Sequence, residues 1–253
     1  MSKDLILKLN DFTISYEPTY HRSRTVRDFF VEVVKNPFHY FFTHADRMVV
    51  LRKVNLDIKK GDVIGILGTN GVGKTSLCRY LSGIIKHHNV EIYGETRALF
   101  DGNVAIYPDL TGRENAIVLV ELLYSELSVN DKKELIEEAI HFSELHEHID
   151  TPVKNYSRGM KARLFLSLLT FRGTDLLVID EAFGGTDQFF SEKLEKRIQQ
   201  LISKCGAVAI VSHSTEEIKK YCNRIIVLHD KQIAFDGSTS DGIKFYNSLR
   251  IPL

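Results

Sequence analysis

The sequence predicts an α/β fold with a mostly parallel central sheet. Three short apolar runs carry this prediction, because they are continuous and rich in branched side chains, as strands covered by helices on both faces should be. The runs are VIGIL at Val63–Leu67, LLVI at Leu176–Ile179 and AVAIV at Ala207–Val211. Amphipathic stretches alternate with them, which is the pattern of parallel strands joined by helical connections. The three runs are therefore expected at the centre of the sheet.

Two further pairs of strands are predicted near the ends of the chain. LILKLNDFTISY (residues 5–16) alternates like an early strand, and VVLRKVNLDI (49–58) resembles a second one before a Lys-Lys-Gly-Asp turn. Both are expected to be antiparallel and half-buried. IIVLHD (225–230) and QIAFDG (232–237) are typical of a closing hairpin.

A polar stretch from about Thr111 to Phe171 predicts a helical lobe between the first and second central strands. It begins with Thr-Gly-Arg-Glu, and it contains Ser128 three residues before Asp131. Both patterns are typical of the first turn of a helix.

Composition limits the possible functions. The 253 residues are 43% hydrophobic and 26% charged, as in a water-soluble globular protein. Lys and Arg total 33, as do Asp and Glu, so no overall basic field is available to hold nucleic acid or an anionic membrane. Three widely spaced cysteines favour reduced thiols and the cytosol. Neither a secretory signal nor an apolar run of about 20 residues is visible.

The segment Glu17–Arg47, here called the aromatic insertion, does not fit the alternation of strands and helices. One interpretation is a helix or two packed on the core of the domain, since exposed aromatic patches are uncommon on monomers. The other interpretation is a docking surface. The aromatic residues concerned are Phe29, Phe30, Phe38, Tyr40, Phe41 and Phe42.

The strongest local signal is a G-x-x-x-x-G-K-T run between the strand VIGIL and the apolar stretch SLCRYLSGI. Glycines let such a loop wrap closely around a phosphate, and the start of the following helix adds positive potential. Lys74 is expected to reach the β and γ phosphates, and the Thr75 hydroxyl to bind Mg²⁺. The predicted nucleotide contacts are Gly68, Thr69, Asn70, Gly71, Val72, Gly73, Lys74, Thr75 and Ser76.

Acidic and histidine side chains follow the two later central strands. Asp180 and Glu181 end the run LLVI, at the edge of the sheet where ligands bind in open α/β folds. Asp180 is expected to hold the Mg²⁺ water shell, and Glu181 to orient or deprotonate the attacking water. His213 follows the next strand and is expected to contact the γ-phosphate and the water.

The segment Tyr156-Ser157-Arg158-Gly159-Met160, placed before Asp180-Glu181 and His213, resembles the signature motif of ABC-type ATPases. A serine and a glycine ahead of an apolar helix form a second anion cradle. The resemblance implies a P-loop NTPase with a RecA-like mixed sheet, an antiparallel β subdomain and a helical subdomain at about 111–171. It further implies a head-to-tail homodimer that sandwiches two ATP molecules between phosphate loops and Ser157 and Gly159, with Asp187 crossing the interface.

Thr111–Asn115, the Tyr-Ser-x-Gly-Met variant and Asp187–Phe190 are more closely similar to the ATPase subunits of bacterial polysaccharide exporters, which serve O-antigen, capsule or teichoic acid export. This resemblance implies ATP with Mg²⁺, a separate membrane permease dimer that moves a lipid-linked polysaccharide, and a location at the cytoplasmic face of the cell membrane. Coupling to the permease is expected near Asp101–Arg113. The chain is expected to be a single ABC ATPase domain, 1–253, without an appended carbohydrate-binding domain.

Three positions depart from the family pattern or leave alternatives open. The usual Q-loop glutamine, expected within Asp101–Tyr107, is absent. Arg158 replaces a small residue, and a long cation there either strengthens γ-phosphate binding or crowds the site. Tyr16 has the expected place for stacking on adenine, Tyr20 is the alternative, and a tyrosine buried in the core is a third interpretation.

Rival functions have less support in the sequence. A soluble ABC ATPase acting on nucleic acid or ribosomes would generally carry two phosphate loops and a Lys/Arg footprint. A GTP switch protein would carry an Asn-Lys-x-Asp motif, which the sequence lacks. A non-catalytic scaffold would not need the acidic pair together with His213.

Overall fold

A computed structural model describes residues 4–16, 47–100, 107–180, 188–212 and 214–249. The aromatic insertion lies outside the described residues except for Arg47, so neither interpretation of it is tested. Nine strands are described: β1 (Leu5–Tyr16), β2 (Met48–Lys59), β3 (Val63–Gly68), β4 (Val90–Ile92), β5 (Thr96–Phe100), β6 (Leu176–Asp180), β7 (Ala207–Val211), β8 (Arg224–His229) and β9 (Gln232–Ser238).

The strands form two sheets, as the sequence predicts. The larger has the order β5-β6-β7-β3-β8-β9, in which the first five strands are parallel and β9 pairs antiparallel with β8. The smaller sheet, β2-β1-β4, is antiparallel throughout. The three apolar runs and the closing hairpin are thus confirmed. The short strands β4 and β5 were missed, since runs of three to five residues carry little periodicity.

Seven α-helices of the described residues cover these sheets. They are α1 (Lys74–Leu81), α2 (Gly112–Leu123), α3 (Val129–Ser143), α4 (Arg158–Leu169), α5 (Gln188–Lys204), α6 (Thr215–Tyr221) and α7 (Thr239–Ser248). None of the described helices is long and apolar enough to cross a membrane.

Buried side chains divide between the two faces of the large sheet. On one face, alternate residues such as Leu177 and Ile179 of β6 join the apolar sides of helices α2 to α7. On the other face, Leu176 and Val178 pack with α1 and the small antiparallel sheet. Because successive side chains of a strand point to opposite faces, a continuous apolar run fills both cores. This is why the central strands contain so few polar residues.

Helices α2 to α4, residues 112–169, form the predicted helical lobe, and its helix starts are those that the sequence indicates. The Thr111 hydroxyl accepts a hydrogen bond from the Glu114 amide, and the Glu114 carboxylate accepts one from the Thr111 amide, which completes a capping box. Ser128 caps α3 by accepting from the Asp131 amide. Such caps satisfy amides that would otherwise lack partners in the first turn.

A buried arginine joins the helical lobe to the sheet. Arg97 of β5 places its guanidinium carbon 4.3 Å from the centre of the Tyr124 ring, at the end of α2. It also donates to the Arg172 carbonyl and the Glu95 carboxylate. Burial raises the pKa of Tyr124 to about 12, and the phenol donates to the Leu168 carbonyl. The contacts hold the ends of α2 and α4 against the sheet.

The start of α2 packs closely against the segment that precedes α4. The carbonyls of Pro108 and Leu110 accept hydrogen bonds from the amides of Lys154 and Val153, at 2.8 and 2.9 Å. The buried Asn115 side chain accepts from the Tyr107 amide and donates to the Tyr107 carbonyl. The Thr111–Asn115 motif and the residues just before it therefore have a structural role in the helical lobe.

Replacing Gly112 with Ala should destabilise the helical lobe. A Cβ at this position would lie 2.2 Å from the Tyr156 hydroxyl and 2.9 Å from Ile149 Cδ1, so the neighbouring groups would have to shift. Overpacking of this kind costs about 1–3 kcal/mol, and we expect a lower melting temperature in thermal denaturation. Gly112→Ala should cost less in a Tyr156→Phe background, which lacks the closest atom but also the hydrogen bond from the Tyr156 hydroxyl to the His148 carbonyl. A cost of Gly112→Ala that is as large in the Tyr156→Phe background as in the unchanged chain would contradict the packing explanation.

Candidate functional site

The phosphate loop, Gly68–Thr75, connects β3 to α1 as the motif predicts. Gly71 and Gly73 have φ values of 78° and 109°, a region that side-chain-bearing residues rarely adopt. A Cβ on Gly73 would also lie 2.6 Å from a methyl carbon of Val50. Glycine at these positions therefore lets the loop turn beneath β2 and enter the helix.

Lys74 is the first residue of α1 and is buried. Its ammonium donates hydrogen bonds to the carbonyls of Gly68, at 2.9 Å, and Thr69, at 3.3 Å. The first turn of α1 contains no acidic residue that would offset the positive end of the helix dipole. A buried cation and an uncompensated helix N-terminus thus occupy the same loop, which favours an anion such as a phosphate.

A cavity of about 390 Å³ lies over this loop. Its lining is mostly polar backbone and short side chains, which suits a polyphosphate better than an apolar ligand. A second cavity, of about 350 Å³, lies between α5 and α6 and contains none of the predicted site residues. The first cavity is lined by Val50, Asn70, Gly71, Gly73, Lys74, Thr75 and Ser76.

Asp180 ends β6 at the same edge of the sheet as the loop. Both β3 and β6 pair in parallel with β7, so their carboxyl ends emerge together. Burial raises the pKa of the Cys78 thiol on α1; the negative charge of Asp180 raises it further, and the positive charge of Lys74 lowers it. Charges of both groups therefore act on one buried thiol beneath the loop. The Thr75 hydroxyl and the Asp180 carboxylate are oxygen donors of the kind that Mg²⁺ prefers.

Glu181, Asp187 and His213 lie outside the described residues, so their predicted roles are not tested. The structure does describe the residues on either side of position 213. The Ser212 hydroxyl donates to Glu217 at 2.6 Å and accepts from the Ser214 amide at 3.0 Å. The contact between Ser212 and Glu217 was not predicted from the sequence, because neither residue belongs to a motif that indicates it.

The signature serine caps a helix on the surface of the lobe. Ser157 is exposed, and its hydroxyl accepts from the Met160 amide at the start of α4. Arg158 is exposed and Gly159 is half-buried. Neither Ser157 nor Gly159 belongs to the lining of the cavity over the phosphate loop. The two predicted anion sites are thus separate within the part of the chain that the structure describes.

Tyr16 lies beside the phosphate loop. It ends β1, where it pairs with Met48 of β2, and its hydroxyl is 3.1 Å from Ser76 Oγ. Tyr16 is 39% exposed, which does not fit a tyrosine buried in the core. Tyr20, the alternative partner for adenine, lies outside the described residues. Val50 also lines the cavity and was missed, because an apolar residue in a strand looks like part of the core.

Comparisons with known proteins agree with this geometry. A family model described as ABC transporter matches residues 51–184. The chain is 34% identical over 221 residues to the teichoic acids export ATP-binding protein TagH of Enterococcus faecalis. The aligned region covers 87% of this chain and 49% of that protein. The chain is also 36% identical over 183 residues to the O-antigen export system ATP-binding protein RfbE of Yersinia enterocolitica. This alignment covers 72% of this chain and 76% of that protein.

The chain spans about half the length of the first of these relatives. Its fold is similar to a solved dimeric ATP-binding cassette in a post-hydrolysis state bound to ADP and Pi, with a TM-score of 0.66 and 18% identity. The alignment covers 92% of this chain and 99% of that one. The resemblance stated from the signature motif is thereby confirmed. From the matched family model and the relative of similar length, the chain belongs to the ABC transporter family.

Proposed function

We propose that this chain is the ATP-hydrolysing subunit of an ABC transporter that exports a lipid-linked polysaccharide through a separate membrane permease. The observation that carries the proposal is the phosphate loop with its buried Lys74 opening onto a polar cavity. The names of the relatives, which concern teichoic acid and O-antigen export, support the polysaccharide. The proposed location is the cytoplasmic face of the bacterial cell membrane.

ATP would bind with its phosphates against residues 68–76 and its base against Tyr16. Lys74 would donate to the β and γ phosphates, and the loop amides to the remaining oxygens. Thr75 and Asp180 would hold Mg²⁺, which fits their oxygen donors and their place at one edge of the sheet. The bound ion would offset the charge of the polyphosphate.

The working unit would be a head-to-tail homodimer. Ser157 and Gly159 lie at the start of α4, outside the lining of the cavity of the same chain, and would form a second anion site. In a dimer, this site would face the γ-phosphate held by the other copy, and Asp187 would cross the interface. A solved cassette of similar fold is a dimer, which supports this arrangement.

Hydrolysis would reopen the dimer. Each γ-phosphate would contact both copies, whereas ADP would contact one, so ATP favours the closed state and ADP does not. Glu181 would orient or deprotonate the attacking water, and His213 would contact the γ-phosphate. The closing movement would pass to the permease near Asp101–Arg113.

Purification of the chain alone, and together with a multi-span membrane protein from a neighbouring gene, where one is found, tests this proposal. We expect ATP hydrolysis in the complex, ATP-dependent dimers in light scattering, and intracellular accumulation of polysaccharide when the gene is deleted. A chain that stays monomeric and inert toward ATP even with its membrane partner would contradict the proposal.

A further inference from the structure

The hydrogen bond between Tyr16 and Ser76 joins the end of β1 to a residue that lines the cavity over the phosphate loop. Tyr16 is the last residue of β1 in the small antiparallel sheet, whereas Ser76 lies in the first turn of α1. Sixty positions of sequence separate the two hydroxyls, which lie 3.1 Å apart. The ring that is proposed to stack on the base is thereby held directly by the helix that is proposed to bind the phosphates.

The direction of this hydrogen bond determines whether the Ser76 hydroxyl can still donate to a ligand. The Tyr16 hydroxyl donates and the Ser76 oxygen accepts. A serine hydroxyl has one proton and two acceptor lone pairs, so a serine that accepts from Tyr16 keeps its own proton for another acceptor. Ser76 lines the cavity over the phosphate loop, where a phosphate oxygen would be that acceptor.

We propose that Tyr16 and Ser76 form a hydrogen-bonded relay in which Tyr16 donates to Ser76 and Ser76 donates to the bound polyphosphate. The relay makes Tyr16 a positioning residue for the phosphates in addition to its contact with the base. This inference rests on the proposed nucleotide site. It separates the role of the Tyr16 hydroxyl from that of the Tyr16 ring.

The relay should strengthen when the nucleotide is bound. In the structure the Tyr16–Ser76 bond is exposed, and water competes with exposed hydrogen bonds. A base stacked on the Tyr16 ring would cover the bond, and an anionic acceptor would polarise the Ser76 hydroxyl toward stronger acceptance from Tyr16. Base and phosphate binding would therefore support each other through these two side chains.

A double-mutant cycle tests the relay, with ADP as the probe because ADP is not consumed in the titration. Tyr16→Phe keeps the ring and removes the donor, whereas Ser76→Ala removes the middle of the relay. Each variant should weaken ADP binding about threefold to tenfold in calorimetry. The double variant should lose about as much as Ser76→Ala alone, because Ser76→Ala already removes both hydrogen bonds of the relay.

Two controls separate the relay from general effects. Tyr93→Phe makes the same change at an exposed tyrosine whose hydroxyl donates to Glu91 and not to the phosphate-loop helix, and it should bind ADP as the unchanged chain does. Ser76→Thr retains a hydroxyl and should restore most of the affinity lost in Ser76→Ala. Losses that multiply in the double variant, or a Tyr16→Phe variant with unchanged affinity, would overturn the relay. If the unchanged chain fails to bind ADP, the proposed function itself fails.

Discussion

Replacement of Glu181 with Gln should lower the rate of ATP hydrolysis at least about 100-fold while ATP still binds, because a positioned general base contributes about 10²- to 10⁴-fold. Gln keeps the size and hydrogen-bonding capacity of the side chain but cannot accept the proton of the attacking water. Since ATP is bound and not cleaved, we also expect the dimer to accumulate. Phosphate release measures the rate, and light scattering with ATP measures the dimer.

Glu216→Gln is a matched control for this experiment. Glu216 lies on α6, its side chain is 80% exposed, and it pairs with Lys219. This variant removes one carboxylate without touching the proposed site, so it should hydrolyse ATP at the normal rate. Normal turnover in Glu181→Gln, measured in the complex with the membrane partner, would show that another group activates the water.

Lys74→Ala should weaken ATP binding about 10- to 150-fold, since hydrogen bonds from charged groups contribute about 1.5–3 kcal/mol. The variant removes the buried ammonium that lies against the loop carbonyls of Gly68 and Thr69. The loss should appear in the dissociation constant measured by calorimetry, and hydrolysis should fall with it. In this respect it differs from Glu181→Gln, in which binding persists.

A lysine outside the cavity provides the control for the change in net charge. Lys60 is exposed in the turn between β2 and β3, so Lys60→Ala should bind ATP with unchanged affinity. Lys74→Met keeps the aliphatic part of the buried side chain, and it should weaken binding as Lys74→Ala does even if only the alanine variant lowers the melting temperature. Tight ATP binding in both Lys74 variants would contradict the assignment of the phosphate loop.

The centre of the fold could be predicted from sequence because its physical cause is local. A strand buried on both faces must be continuously apolar, and β3, β6 and β7 follow that rule. The starts of α2 and α3 could also be predicted, since each capping side chain accepts a hydrogen bond from the amide three residues later. Helix α7 was missed because its ten residues include Gly242, Ser240 and Asn247, which are weak helix formers.

The candidate site likewise has a part that could be predicted from the sequence and a part that could not. The phosphate loop is contiguous, so the residue types and their spacing are enough to predict its chemistry. The contact of Tyr16 with Ser76 and the packing of Gly112 against Tyr156 join distant positions. A single sequence shows which side chains are present but not which of them touch across the fold.

The backbone pairing ahead of α4 has a mechanical consequence. Residues 108 and 110 bond to Lys154 and Val153, and a 3₁₀ turn at Val153–Asn155 leads directly to Tyr156 and then Ser157. Only Asn155 and Tyr156 separate Lys154 from Ser157 along the chain. A neighbouring protein that displaced residues 108–110 should therefore also displace Ser157, because the paired residues lead into the start of α4 over so short a segment.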